Sequence, residues 1–223
     1  MYYEKRNLSC QSIFPSFVFI EATFCYYCCV KKKSIEKLLD LTEWNDGYVS
    51  VAEAKGMGIS QTYLSQGEEA GVFQKASKGL YIKKGYPIDP FYILHFRYRK
   101  AVFSLRSALY LHGFHVDPVL EVALPRNYMT AGIEGAEVIR KSGDRYLLGQ
   151  SLAVSPHGPL VPVYDVEMTI VDLILYRNRF SDEEYAKILD EAKTKNIDKE
   201  KLFTYARTLG KFEVVDAATK GRI

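Results

Sequence analysis

The run from Gly47 to Gly85 leaves the backbone few choices, because short capped helices and glycine stops follow one another with no spacer between them. Ser50-x-x-Glu53 forms a capping box, in which the serine accepts a free N–H of the first turn and the glutamate answers it. Gly56 and Gly58 stop that helix early. Ile59 then anchors a turn, and Ser60 caps a second helix that ends at Gly71. Leu64 and Ala70 are expected to face inward. Gln61, Thr62, Ser65 and Gln66 are left outside, with Tyr63 on either side. Gly67 conflicts locally with this helix, since an interior glycine costs about 0.8–1 kcal/mol against alanine. It marks either a close packing contact or an early fray. Val72–Lys75, the turn Ala76–Gly79 and Leu80–Lys83 follow as strand, turn and strand.

Upstream, Ile35, Leu38, Leu39 and Trp44 recur at helical spacing, so Ser34 to about Asn45 reads as an amphipathic helix closed by Asp46-Gly47. Tyr48-Val49 is long enough only for a short edge strand. The order predicts a winged helix-turn-helix, in which the first turns of the second helix meet base edges in the major groove. Ser60, Gln61, Thr62, Tyr63, Ser65 and Gln66 are therefore the candidates for base or phosphate contact, with Lys75, Ser77 and Lys78 on the wing for phosphate. The formal net charge of +3 over 223 residues argues nothing alone. From Val72 to Arg106, however, there are eight basic side chains and a single acid, Asp89. Arg97, Arg99, Lys100 and Arg106 form a basic group suited to phosphate or to an acidic partner. Against DNA stand Glu68 and Glu69, which phosphate would repel, and the use of small helix-turn-helix folds as protein-protein modules.

Gly85, Pro87 and Pro90 mark a boundary. Beyond it, Asp89 caps a helix with Pro90 at its first position, and Ser104 caps a compact helix ended by Gly113. Glu121–Pro125, Ala136–Arg140, Ser151–Ser155 and Val161–Tyr164 read as short strands. Asp165, Ser181 (with Glu184) and Asp198 each open a helix. The fold class is α+β, an N-terminal winged helix-turn-helix followed by a mixed α/β C-terminal domain with short strands and terminal helices. The expected divisions are a tail over 1–33, the winged domain over 34–86 and the second domain over 87–223.

No catalytic constellation emerges. Asp165, Glu167 and Asp172 are the best cluster for a divalent cation, yet capping and helix-dipole roles account for the first two, and no phosphate loop accompanies them. His112 sits where it complements a helix C-terminus, and His115 need not share its face. An enzyme, a cofactor and a metal are accordingly not expected. All four cysteines, Cys10, Cys25, Cys28 and Cys29, precede Val30, so no disulfide framework holds the body and a cytoplasmic setting is expected. Cys25-x-x-Cys28 lacks the second pair that a structural zinc site needs. Ile13–Val30 is apolar but short for a membrane span and holds Pro15 and Glu21, so no membrane role is expected. It reads as a disordered or loosely packed tail, with translation starting at Val30, and so a tail foreign to the native protein, as the alternative.

Two phrases carry a resemblance. Ser104-Leu-Arg-Ser-Ala-Leu-Tyr-Leu-His-Gly113 and Tyr164-Asp-Val-Glu-Met-Thr-Ile-Val-Asp-Leu173, in that order after the winged segment, resemble the signature segments of AbiEi-type antitoxins. These are the antitoxin halves of abortive-infection (type IV) toxin-antitoxin systems, and the match runs from about Ser34 to Ala218. The resemblance implies a non-catalytic protein that binds inverted repeats in its own promoter and represses transcription. It also implies a nucleotidyltransferase-like toxin of the AbiEii type as partner, met directly or only through function. Gly67 and the Glu68-Glu69 pair depart from that pattern, as does the apolar tail. The alternative is a stand-alone winged-helix transcription regulator whose C-terminal domain senses a ligand or dimerises.

Overall fold

The computed structural model describes residues 33–130 and 132–220. The expectations for the tail, Cys25-x-x-Cys28 and the start at Val30 lie outside these residues. No helix among the described residues is long and apolar enough to cross a membrane. Contacts divide the chain into two compact units, 33–75 with Tyr81–Lys84, and Ala76–Leu80 with the residues from Gly85 onward.

In the first unit, helix α1 (33–44) buries Leu38 fully and Ile35 and Leu39 in part. The fourth position of its inner stripe is Thr42, which is buried and donates its hydroxyl to the Leu39 carbonyl at 2.7 Å. Trp44, expected to face inward, is 87% exposed. The stripe follows the 35, 38, 39, 42 spacing, from which Trp44 departs. Strand β1 (Tyr48–Ser50) leads directly into α2 (Val51–Gly56). The capping box forms as read: Glu53 N–H donates to Ser50 Oγ at 3.1 Å, and Ser50 N–H donates to Glu53 Oε2 at 2.7 Å. Helix α3 (Gln61–Glu69) follows, then β2 (Phe73–Ser77) and β3 (Leu80–Lys83), a hairpin whose tip, Ala76–Leu80, the contacts group with the second unit. The hairpin is tighter than expected, since the strand continues through Ser77 and only Lys78-Gly79 turn, Gly79 taking φ +78°. The sheet order is β1-β3-β2. Leu38, Val49, Ala54, Ile59, Leu64, Phe73 and Tyr81 form the core of this unit.

The second unit is built on a five-stranded mixed sheet of order β6-β5-β4-β8-β7. Its strands are β4 (Val102–Phe103), β5 (Glu121–Pro125), β6 (Glu137–Lys141), β7 (Gln150–Val154) and β8 (Leu160–Tyr164). The pairs β5/β6 and β4/β8 are parallel, whereas β4/β5 and β7/β8 are antiparallel. Alternation along the strands feeds two cores: Val102, Ala123, Ile139 and Tyr164 to one, Phe103, Val122, Leu124, Val161 and Val163 to the other. Both faces are covered, which explains why β5 reads as a continuous apolar run. Helix α4 (Pro90–Arg97) contributes Phe91 and Leu94 to the second core. The first core takes Leu105 and Leu109 of α5 (Leu105–Leu111) and the inner faces of α7 (Val166–Leu175), α8 (Asp182–Ala192), α9 (Lys199–Thr208) and α10 (Phe212–Thr219). A short α6 (Gly143–Leu147) links β6 to β7.

One expected cap is replaced. Ser104 makes no capping hydrogen bond, and its buried hydroxyl has no partner. Instead the buried Glu121 carboxylate in β5, fifteen residues beyond Arg106, accepts the Arg106 N–H at 2.7 Å. Leu105, fully buried, holds φ +47°, a strained value for a bulky side chain. The positive φ thus falls at the first residue of α5, next to the N–H that Glu121 accepts.

Candidate nucleic-acid interface

Ser60 sits at the N-cap of α3 in extended geometry and accepts the Thr62 N–H at 3.4 Å, its hydroxyl lying 3.1 Å from that of Thr62. Ser60, Gln61 and Thr62 are exposed, whereas Tyr63, Ser65 and Gln66 are half-buried, Tyr63 packing on the core of the unit. The outward face therefore begins with neutral hydrogen-bonding groups at the helix N-terminus and ends with exposed Glu68 and Glu69. The inner face differs from expectation at one point. Ala70 is exposed, and the buried partner of Leu64 is Gly67, one turn along. A Cβ at Gly67 would fall 2.4 Å and 2.8 Å from two ring carbons of Phe73. The glycine marks close packing, and the helix does not fray there.

On the hairpin, Lys75 and Lys78 are exposed and Ser77 is half-buried. Neither lysine has a carboxylate within ion-pair distance among the described residues. Lys83 is different, since it pairs with Glu43.

The basic group of the second unit divides. Arg97, Arg99 and Lys100 are exposed, with the Arg99 guanidinium 4.8 Å from the centre of the Phe96 ring and that of Arg97 5.6 Å from Tyr98. Burial, and then the charge of Arg99, pulls the His95 pKa down, so that imidazole adds no charge to the group at neutral pH. Arg106 does not join them. Its guanidinium holds Glu184 through two bonds, at 2.8 Å and 2.9 Å, donates to the Arg179 carbonyl at 2.7 Å and lies 4.3 Å from the Phe180 ring centre. It also approaches Glu121 at 3.5 Å. This is an interior tie between α5, α8 and β5, and it corrects the reading of Arg106 as a surface contact.

The carboxylates weighed for metal are all engaged. Asp165 accepts the Met168 N–H at 2.8 Å and the Tyr205 hydroxyl at 2.8 Å, and pairs with Lys201 at 3.1 Å. Glu167 accepts Lys201 Nζ at 2.9 Å and the Asp198 N–H at 3.1 Å. Asp172 turns the other way and pairs with Lys141 at 2.5 Å. The His112 ring lies 2.6 Å from the Tyr164 carbonyl, and His115 pairs with Glu191 at 2.9 Å.

Around Lys141 lies a feature the sequence reading missed. A cavity of about 510 Å³ is bordered by Arg126, Arg140, Lys141, Arg145, Lys211 and Asp172. Burial pulls the Lys141 ammonium down and pushes the Asp172 carboxyl up, and each one's opposite charge offsets the shift of the other. The Lys141 ammonium also sits 3.8 Å from the centre of the Tyr164 ring. The signal in the sequence was Arg140-Lys141 at the end of a strand otherwise read for its apolar pattern.

No protein-family model matches the chain, and no curated protein matches it. Among solved structures, the fold is similar to that of the RV2827C protein from Mycobacterium tuberculosis, with a TM-score of 0.54 and 14% identity over 87% of this chain and 82% of that one. At that identity the likeness concerns the fold alone.

Proposed function

We propose that the first unit is a winged helix-turn-helix that binds double-stranded promoter DNA. In this reading α3 is the recognition helix, with Ser60, Gln61 and Thr62 at the bases and Lys75 and Lys78 on phosphate. The observation that carries the reading is the polar first turn of α3, capped and exposed, followed directly in the chain by a hairpin on which Lys75 and Lys78 have no carboxylate within ion-pair distance among the described residues. The chain is then a cytoplasmic autorepressor that acts on inverted repeats upstream of its own gene. The two signature phrases extend the proposal to an antitoxin that counters a nucleotidyltransferase-like toxin, without catalysis of its own.

Purified protein should shift its own upstream DNA, with affinity falling steeply as salt rises. Lys75→Ala and Lys78→Ala should weaken binding to every sequence alike, whereas Gln61→Ala and Thr62→Ala should change sequence preference. Equal losses on operator and random DNA for all four variants would refute the assignment of α3. Co-expression with a neighbouring toxin should restore growth, and failure to do so with DNA binding intact would leave a repressor and remove the antitoxin.

A further inference from the structure

The cavity beside Lys141 joins three features. The first is uncompensated charge. The single acid on its border, Asp172, is already paired with Lys141. Arg126, Arg145 and Lys211 have no acidic partner within 4 Å among the described residues. Among the described residues Arg140 donates only to neutral carbonyls, those of Tyr128 at 2.6 Å, Thr130 at 2.9 Å and Pro125 at 3.4 Å, which fix its guanidinium without cancelling its charge.

The second feature is an apolar wall, made by Met168, Leu175, Leu209 and Val214 with the Tyr176 side chain beside them. A site for a bare anion has no use for such a wall, whereas a ligand with a ring-bearing body has. The third is position. Arg126 follows β5 and Lys141 ends β6, so the cavity opens at the carboxyl ends of two parallel strands. Open α/β sheets bind small ligands at those ends, and the volume falls within the range of small-molecule pockets, about 300–1,000 Å³.

We propose that this cavity binds a nucleoside phosphate, its phosphates held by Arg126, Arg145 and Lys211 and its base against the apolar wall. Lys141 and Asp172 form the neutral floor. Their pairing keeps a carboxylate from repelling the ligand and leaves the outer cations free to act on it. The site does not depend on the DNA-binding reading of the first unit, because none of its residues belongs to that unit.

Isothermal titration of the full chain with ATP, GTP and inorganic pyrophosphate tests the proposal. At least one nucleotide should bind at least tenfold tighter than pyrophosphate and raise the melting temperature. Arg145→Ala combined with Lys211→Ala should weaken that binding at least tenfold while the melting temperature without ligand stays unchanged, since neither side chain has an ion-pair partner among the described residues. Leu209→Ala should weaken nucleotide but not pyrophosphate. No binding at millimolar nucleotide, or binding that the double variant leaves intact, would overturn the site. Pyrophosphate binding as tightly as nucleotide would overturn the role of the apolar wall. A short DNA duplex that loses affinity through the double variant, with no nucleotide bound, would make the cavity a backbone contact and overturn the proposal.

Discussion

Gly67→Ala sets two physical effects against each other with opposite signs. Helix propensity alone favours the alanine by about 0.8–1 kcal/mol. The added methyl, however, would fall 2.4 Å from one ring carbon of Phe73 and 2.8 Å from the next. That ring is 2% exposed and packs in the core with Leu38 and Leu64, so its displacement must be passed to neighbours. Overpacking of a dense core typically costs about 1–3 kcal/mol. The clash is severe enough to place this variant toward the upper end, for a net loss of roughly 1–2 kcal/mol after the propensity gain. Urea unfolding followed by circular dichroism should show a lower midpoint at unchanged slope. Combining Gly67→Ala with Phe73→Leu should cost less than the sum of the two single changes, because the smaller side chain makes room for the methyl. If Gly67→Ala alone raises stability by about 1 kcal/mol, the packing explanation is wrong and propensity governs the position.

Other expectations follow from the charges. Glu68→Gln with Glu69→Gln should strengthen DNA binding several-fold at low salt, equally on all sequences, with the gain shrinking at high salt; an unchanged affinity would place the end of α3 away from DNA. Arg106→Leu should cost about 3 kcal/mol, the lower end for a broken buried pair, because the Glu121 carboxylate keeps the backbone N–H of residue 106 and Arg179 at 3.9 Å, and Glu121→Gln in the same chain should recover part of it, read by chemical unfolding. Burial already raises the Glu121 pKa despite the Arg106 N–H and guanidinium. A carboxyl raised on folding weakens stability as pH rises, so the Arg106→Leu deficit should grow from pH 5 to pH 8. For Glu167, burial acts to raise the pKa, but the hydrogen bonds from Lys201 and the Asp198 N–H outweigh it and the net shift is downward. That stabilisation is present above the unfolded value of about 4.3 and is lost as pH falls through the folded one. Lys201→Met should therefore reduce stability more at pH 7 than at pH 2; an equal deficit at both would refute the pairing.

The features legible in the sequence were those written within three or four residues. The caps at Ser50, Ser60, Asp89, Asp165, Ser181 and Asp198 are all present, because each serves a backbone N–H in the next turn. Strands β5 to β8 were found from their apolar runs to within a residue or so at each end. What escaped depends on distant partners. Arg106 looked like a surface cation because Glu184, 78 residues away, left no spacing to read. Ser104 looked like a cap because nothing local indicated that Glu121 would take its place. Strand β4, two residues long, and α6, five residues long, are too short to show a period. The basic cavity gathers Arg126 just after β5 with residues of β6, α6, α7, the turn before α10 and α10 itself, which no single window contains.

The brevity of β4 bears on how the second unit assembles. Its outer ladders are local and complete: β5 with β6 pairs five residues, and β7 with β8 pairs five. They join only through Val102 and Phe103, the first reaching one neighbour and the second both. The antiparallel β7/β8 ladder closes over five residues and the parallel β5/β6 ladder over an eleven-residue crossover, so both are more local than their junctions with the middle strand. The two-residue strand is thus the last stave, and the sheet exists as one body only once it is in place. Native-state hydrogen exchange should then divide the sheet into two cooperative blocks that part along this seam, with Phe103 as the amide whose protection reports their union.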